Sequence, residues 1–243
     1  MRYSLRRTVM VLLFLALTIL CGESAGVSLS LLLRRGVRFF DIAGAMIPPD
    51  MSYGRIVLAP LWATVQMSLA GTGIGAVLGL VGGSFASAYL NPHAWLRVPF
   101  KAVIHLIRTI PALILALLCT FLVGLGTLAG TLALSIYTTA VMARMGYEDM
   151  ENADQKAAKA LEAAGCGRLR AFIRTILPVV LAGYLINVLY MLEANVRHAA
   201  ILGYVGAGGI GLLLNERLAW REYSEVGMIL LLLYGVVILT EGV

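Results

Sequence analysis

Residues 58–90 read LAPLWATVQMSLAGTGIGAVLGLVGGSFASAYL, a run without a single Asp, Glu, Lys or Arg. About 20 apolar residues suffice for a helix to cross the hydrocarbon core of a bilayer, so this run spans with residues to spare. Its glycines (Gly71, Gly73, Gly75, Gly79, Gly82 and Gly83) form the small-residue pattern that lets membrane helices pack backbone to backbone. Asn91-Pro92 ends it.

The rest of the chain fits the same solvent. Of 243 residues 60% are hydrophobic and 13% charged, with a mean hydropathy of +0.89, whereas soluble domains carry about a quarter charged residues. The composition predicts an all-α membrane protein of about six transmembrane helices. The first runs over 8–22 behind Arg2, Arg6 and Arg7, and is read as a retained helix because 23–26 form no convincing signal cleavage site. Residues 29–40 carry Arg34, Arg35 and Arg38, too short and basic to span, and read as an amphipathic segment in the outer interface. Further passes are expected at about 103–123, 129–145, after Pro178, and from Val226 onward. The domain plan is a first helix over 1–25, an extracytoplasmic interfacial segment over 26–57, and a core over 58–243 with a cytoplasmic loop at 146–177.

Charge placement orients the chain. With the N-terminus in the cytoplasm, twelve of the nineteen basic residues fall inside: Arg2, Arg6, Arg7, Arg97, Lys101, Arg108, Arg144, Lys156, Lys159, Arg168, Arg170 and Arg174. That distribution follows the positive-inside rule and gives the net charge of +6 a lipid partner, the bilayer, rather than nucleic acid. Cys21, Cys119 and Cys166 have no CxxC or histidine partners, and His93, His105 and His198 share no ligand spacing, so no metal site is expected. No paired carboxylates or nucleophile–base set suggests catalysis. Gly206-x-Gly208-x-x-Gly211 matches the dinucleotide fingerprint in letters, but an apolar helix precedes it where that fingerprint needs a strand. Gly206, Gly208, Gly209 and Gly211 are read instead as a tight turn near the outer face. None of the lysines follows a glycine, so there is no P-loop.

Between the fourth and fifth passes, 148–167 combines strong helix formers with acids at its start and Gly165 as a stop. Gly165 stands twelve residues before Leu177-Pro178. Here the chain resembles the permease subunits of bacterial ABC importers, whose cytoplasmic loop has the form Glu-Ala-Ala, three residues, Gly, nine residues, hydrophobic-x-Leu-Pro. Six residues before Gly165 stands Lys159, while the literal Glu162-Ala163-Ala164 is three residues out of register. The block 193–211, with Glu-x-Asn-Val-Arg and Val-Gly-Ala-Gly-Gly-Ile-Gly, is similar to phosphonate transporter permeases, as are Pro48-Pro49-Asp50, Arg108, Gly124-Leu125-Gly126 and Tyr137-Thr138-Thr139. That family often has an acidic residue four after this arginine; here it is Ala112.

The resemblance implies a type I ABC importer permease fold in the bacterial inner membrane, transporting phosphonates or related phosphorus oxyanions such as phosphite and phosphate. Implied partners are a second copy of the chain, two ATPase subunits and an extracytoplasmic phosphonate-binding protein. ATP and Mg would be bound by the ATPase, with no cofactor in this chain. Lys159, Ala160, Leu161, Glu162, Ala163, Ala164 and Gly165 would dock the ATPase. Glu193, Asn195, Arg197, Thr138 and Thr139 are the substrate-path candidates, since arginine suits bidentate oxyanion contact; the alternative for Glu193 and Arg197, four apart, is a self-neutralising pair that fixes packing. Arg197 follows Pro178 by about 28 Å of helix and is expected toward the outer boundary. Arg108 and His105 are expected to snorkel at the inner end. Two alternatives stay open: a same-fold permease for another solute such as an amino acid, and a stand-alone channel or secondary carrier.

Overall fold

The structure, a computed structural model, describes residues 2–26 and 29–241, with side chains over 6–26 and 33–241. The side chain of Arg2 and residues 27 and 28 of the expected interfacial segment lie outside the described residues. Helices and turns make up the described chain, without strands. It divides into two units, residues 1–48 and 49–243.

The first unit holds α1 (Arg2–Ser24) and α2 (Leu29–Ala45). α1 contains a 19-residue apolar span over Arg6–Ser24, and α2 is amphipathic, with Arg34, Arg35 and Arg38 among Val37, Phe39 and Phe40.

The second unit begins earlier than residue 58. Asp50 caps a 3-10 turn (Met51–Tyr53) by accepting from the Ser52 N–H at 2.8 Å, and α3 (Gly54–Ala86) follows directly. The Ser52 hydrogen bonds hold the Asp50 carboxyl below its usual range. α4 (Ala94–Thr109) and α5 (Ala112–Val123) replace the single third pass, bent by 96° at their junction. Pro111 explains the break: it forces Ile110 into an extended conformation (ψ 122°) and offers no N–H of its own. α6 (Thr127–Asn152) runs well past the expected end, leaving α7 (Lys156–Ala163) as the only separate helix in the polar segment. α8 (Arg168–Leu202) starts ten residues before Pro178, which lies inside it rather than in its first turn. α9 (Ile210–Trp220), which the sequence did not announce, and α10 (Tyr223–Glu241) complete the unit. Counting the bent pair as one pass, up to six spans are long and apolar enough to cross a membrane.

α3 and α6 form the central seam. Gly71, Gly75, Gly79 and Gly83 recur every four residues along one face of α3. A Cβ on them would meet Leu134 Cβ at 2.7 Å, Thr138 Cβ at 2.5 Å, Met142 Cβ at 2.7 Å and Ala143 O at 2.8 Å, so only glycine admits α6 this close. Gly73 faces open space. At one end, Gly206 and Gly209 take left-handed backbone (φ +79° and +72°) to fold the chain from α8 into α9. Gly206 O accepts from Gly126 N at 2.9 Å, and Thr64 Oγ1 accepts from Ile210 N at 2.8 Å, fastening this turn to the α5–α6 turn and to α3. At the opposite end, α7 packs on α8.

A Gly75→Val variant is expected to lose about 1–3 kcal/mol of stability through overpacking at Thr138, read as a lower thermal midpoint in detergent. Gly73→Val, two residues away, should leave that midpoint within experimental error.

Candidate functional site

Three polar features stand out in this apolar bundle. The first is the joint that holds α7. The Tyr89 hydroxyl donates to Glu162 Oε1 at 2.5 Å, the Tyr89 ring stacks on Phe172 of α8 (6.1 Å, 25°), and the Arg168 guanidinium lies 5.2 Å from the centroid of the same Tyr89 ring. Burial first, then the Glu162 bond, pushes the Tyr89 hydroxyl up to about 12, so it remains a donor at neutral pH. Glu151, near the end of α6, accepts from Ala88 N at 2.8 Å and pairs with Lys101 of α4 at 2.9 Å. Asp154 caps α7 by accepting from Lys156 N at 2.9 Å, and Gly165 (φ +89°) terminates it. Ala158 is fully buried, Leu161 and Glu162 are half-buried, and Ala157, Lys159, Ala160, Ala163 and Ala164 are exposed. Thus α7 is tied to the α3–α4 loop through Tyr89 and packs on α8, and it presents a small-residue face with Lys159 outward.

The second feature is a buried bridge. Asn195 Nδ2 donates to Thr72 Oγ1 and Thr138 Oγ1, both at 2.8 Å, with all three residues buried. Thr139 instead bonds back to Ser135 O at 2.7 Å. Thr72 lies near the middle of α3 and Thr138 near the middle of α6, so Asn195 and its neighbours sit midway along these helices. Along α8 (Arg168–Leu202), Arg197 stands five residues before the end of the helix. Arg197 pairs with Glu193 and approaches Glu241 of α10 at 3.8 Å, on a face where its side chain is 44% exposed.

The third feature is a cavity of about 320 Å³ at the α4–α5 break. Arg108 and Thr109 come from the end of α4, Ala112 and Leu113 from the start of α5, Tyr137 from α6, and His198 from α8. His198 packs edge-on to Tyr137 at 5.4 Å, and its buried Nδ1 has no hydrogen-bond partner. The first N–H groups of α5 have no carbonyl to bond within their own helix, and they carry the positive end of its dipole. No carboxylate lines this cavity. A guanidinium, a helix N-terminus and an imidazole with a free nitrogen together make a place for an oxyanion.

Comparison with known proteins bears on all three features. The family described as binding-protein-dependent transport system inner membrane component matches residues 75–240, which include most of the seam, the joint and the cavity. The chain belongs to this family. Among relatives, the phosphite transport system permease protein PtxC of Stutzerimonas stutzeri is 33% identical over 201 residues, 83% of this chain and 73% of that protein. The phosphate-import permease protein PhnE of Mycolicibacterium smegmatis is 32% identical over 197 residues, 81% of this chain but only 37% of that protein. The fold is shared with a chain of the MetNI methionine ABC transporter (TM-score 0.66, 24% identity, 76% of this chain and 91% of that one). It is shared too with an amino acid ABC transporter crystallised with histidines (TM-score 0.65, 17% identity, 79% and 92%).

In this permease the sequence-derived candidates separate. Thr138 and Asn195 are brought together, but inside the subunit between three helices. Glu193 and Arg197 meet on a partly exposed face. Residues 159–165 form the end of α7 and its stop, with Glu162 turned toward the bundle and Lys159 away from it. His105 bonds to the Tyr147 hydroxyl at 3.0 Å, whereas Arg108 lines the cavity rather than standing alone at a helix end. Tyr137 and His198 escaped the sequence reading because 61 residues separate them; the one local signal was Pro111 inside an apolar run.

Tyr89→Phe should loosen α7 by about 1.5 kcal/mol, the scale of a hydrogen bond to a charged acceptor. The measurement is hydrogen exchange of the amides in 156–163, expected to rise about tenfold while exchange in α3 and α6 stays unchanged.

Proposed function

We propose that this permease forms the membrane path of an ATP-driven importer for phosphonates or related phosphorus oxyanions, phosphite and phosphate among them. The observation that carries the substrate class is the carboxylate-free cavity of Arg108, His198 and the α5 N-terminus. The names of the phosphite and phosphate relatives support it.

In this reading the N-terminus is cytoplasmic, and the α7 end faces the cytoplasm with Lys156, Lys159, Arg168, Arg170 and Arg174. Two copies enclose the path, and two ATPase subunits grip the exposed faces of the two α7 helices. An extracytoplasmic binding protein delivers substrate at the glycine-turn end, over Gly206, Gly208, Gly209 and Gly211. The chain itself is non-catalytic; ATP and Mg belong to the ATPase. Closure of the ATPase pair moves α7; the Tyr89–Glu162 bond passes that motion to the α3–α4 loop, and the packing of α7 on α8 passes it to α8. Arg197, on its partly exposed face, lines the path with Glu193, while Asn195 and Thr138 hold the helices that frame it.

Arg108→Gln is expected to cut uptake of the phosphorus oxyanion at least about tenfold by removing a charge-assisted contact, with the complex still assembled. Arg197→Ala should abolish uptake in the same assay; wild-type rates for either variant would remove that residue from the path. Deleting residues 156–166 should eliminate co-purification of the ATPase, and retained co-purification would refute the docking role of α7. A stand-alone channel or carrier would transport without any ATPase partner.

A further inference from the structure

A second cavity, about 750 Å³, opens beside the α7 joint between the last turns of α3, the start of α4 and the first turns of α8. Its walls are apolar, from Leu80, Phe85, Leu96, Phe172, Ile173 and Leu177. Several of them stand open on the surface of the bundle, with Phe85 64% and Ile173 49% exposed. Two polar groups, Arg168 and Asn91, stand where α3 has ended and α8 begins. No acid lines the cavity. Arg168 has no carboxylate partner among the described residues and rests only against the Tyr89 ring; the Asn91 side chain has no hydrogen bond there either. An apolar slot with one uncompensated guanidinium at its rim fits a molecule that has a long hydrocarbon tail and an anionic head.

We propose that this cavity binds an anionic phospholipid of the cytoplasmic leaflet, its acyl chain in the slot and its phosphate on Arg168 and Asn91. The proposal rests on the orientation given above, which puts this end of the bundle at the inner leaflet, where anionic headgroups concentrate. A free phosphate would leave the apolar walls unfilled, and a zwitterionic lipid would bring a phosphate whose charge its own ammonium already offsets, leaving Arg168 less fully compensated. Because Arg168 also covers the face of Tyr89, whose hydroxyl holds Glu162, the bound headgroup and the α7 joint share one guanidinium.

The test is native mass spectrometry of the permease purified with its ATPase, with phosphatidylglycerol or phosphatidylcholine added. The wild-type complex should retain phosphatidylglycerol in preference. Arg168→Gln should reduce that preference about fivefold, the scale of one basic group at an anionic surface, and Arg168→Lys should restore most of it. Ile173→Trp, which fills the slot, should abolish retention of both lipids. Undiminished preference in Arg168→Gln overturns the proposal. So does undiminished retention in Ile173→Trp, the result expected if a protein segment occupies the slot. ATPase subunits in the same spectra report on the α7 reading separately, so loss of ATPase and loss of lipid are distinguishable.

Discussion

The close approach of α3 and α6 is the constraint on which the rest of the permease depends. Lipid tails are as apolar as leucine, so burying apolar surface gives little reason for two helices to associate in a bilayer; close van der Waals contact does. Gly71, Gly75, Gly79 and Gly83 supply it, setting the α3 backbone directly against Leu134, Thr138, Met142 and Ala143. The same approach brings Thr72 and Thr138 within reach of one amide, that of Asn195, so a third helix is keyed to the pair at a single level. Tyr184 adds another tie, its hydroxyl donating to Ala76 O at 2.7 Å.

With that core held together, the two ends can be specialised. At one end, the glycine turn after α8 is fastened to α3 through Thr64 and to the α5–α6 turn through Gly126. At the other, a short helix of only eight residues, too short to be stable alone, is held by a tyrosine, a glutamate and an arginine from three parts of the chain. Its outer face has little but alanine methyls and two lysines, Lys156 and Lys159, a surface that another protein can approach closely. A rigid middle and anchored ends are the properties an element needs if movement at one end is to be felt at the other.

Charge is used sparingly and in two ways. Glu193 and Arg197 compensate one another on a partly exposed face. At the α4–α5 break, by contrast, Arg108 lines a cavity with no carboxylate among its described lining residues. Breaking a helix in a membrane leaves backbone groups without partners, which is tolerated where they line a polar cavity. Here those groups face Arg108, Tyr137 and His198.

Much of the architecture was legible in the sequence because solvent dictates it: long uncharged runs must be helices in lipid, and small residues along such a run mark a packing face. The helical part of the polar segment and its glycine stop were legible because they are local in the chain. Helix ends were less so. The extension of α6 to Asn152 and of α8 back to Arg168 arises from packing beyond the apolar run, and α9 exists because its glycine-rich start can lie against α8. What only the tertiary structure decided is which polar residues meet. Asn195 and Thr138, 57 residues apart, became a bridge inside the subunit, and Arg108 and His198, far apart in the chain, became walls of one cavity. A linear pattern reports the period of a helix, but which helix a polar face meets depends on the angle of crossing and on the bend at Pro111.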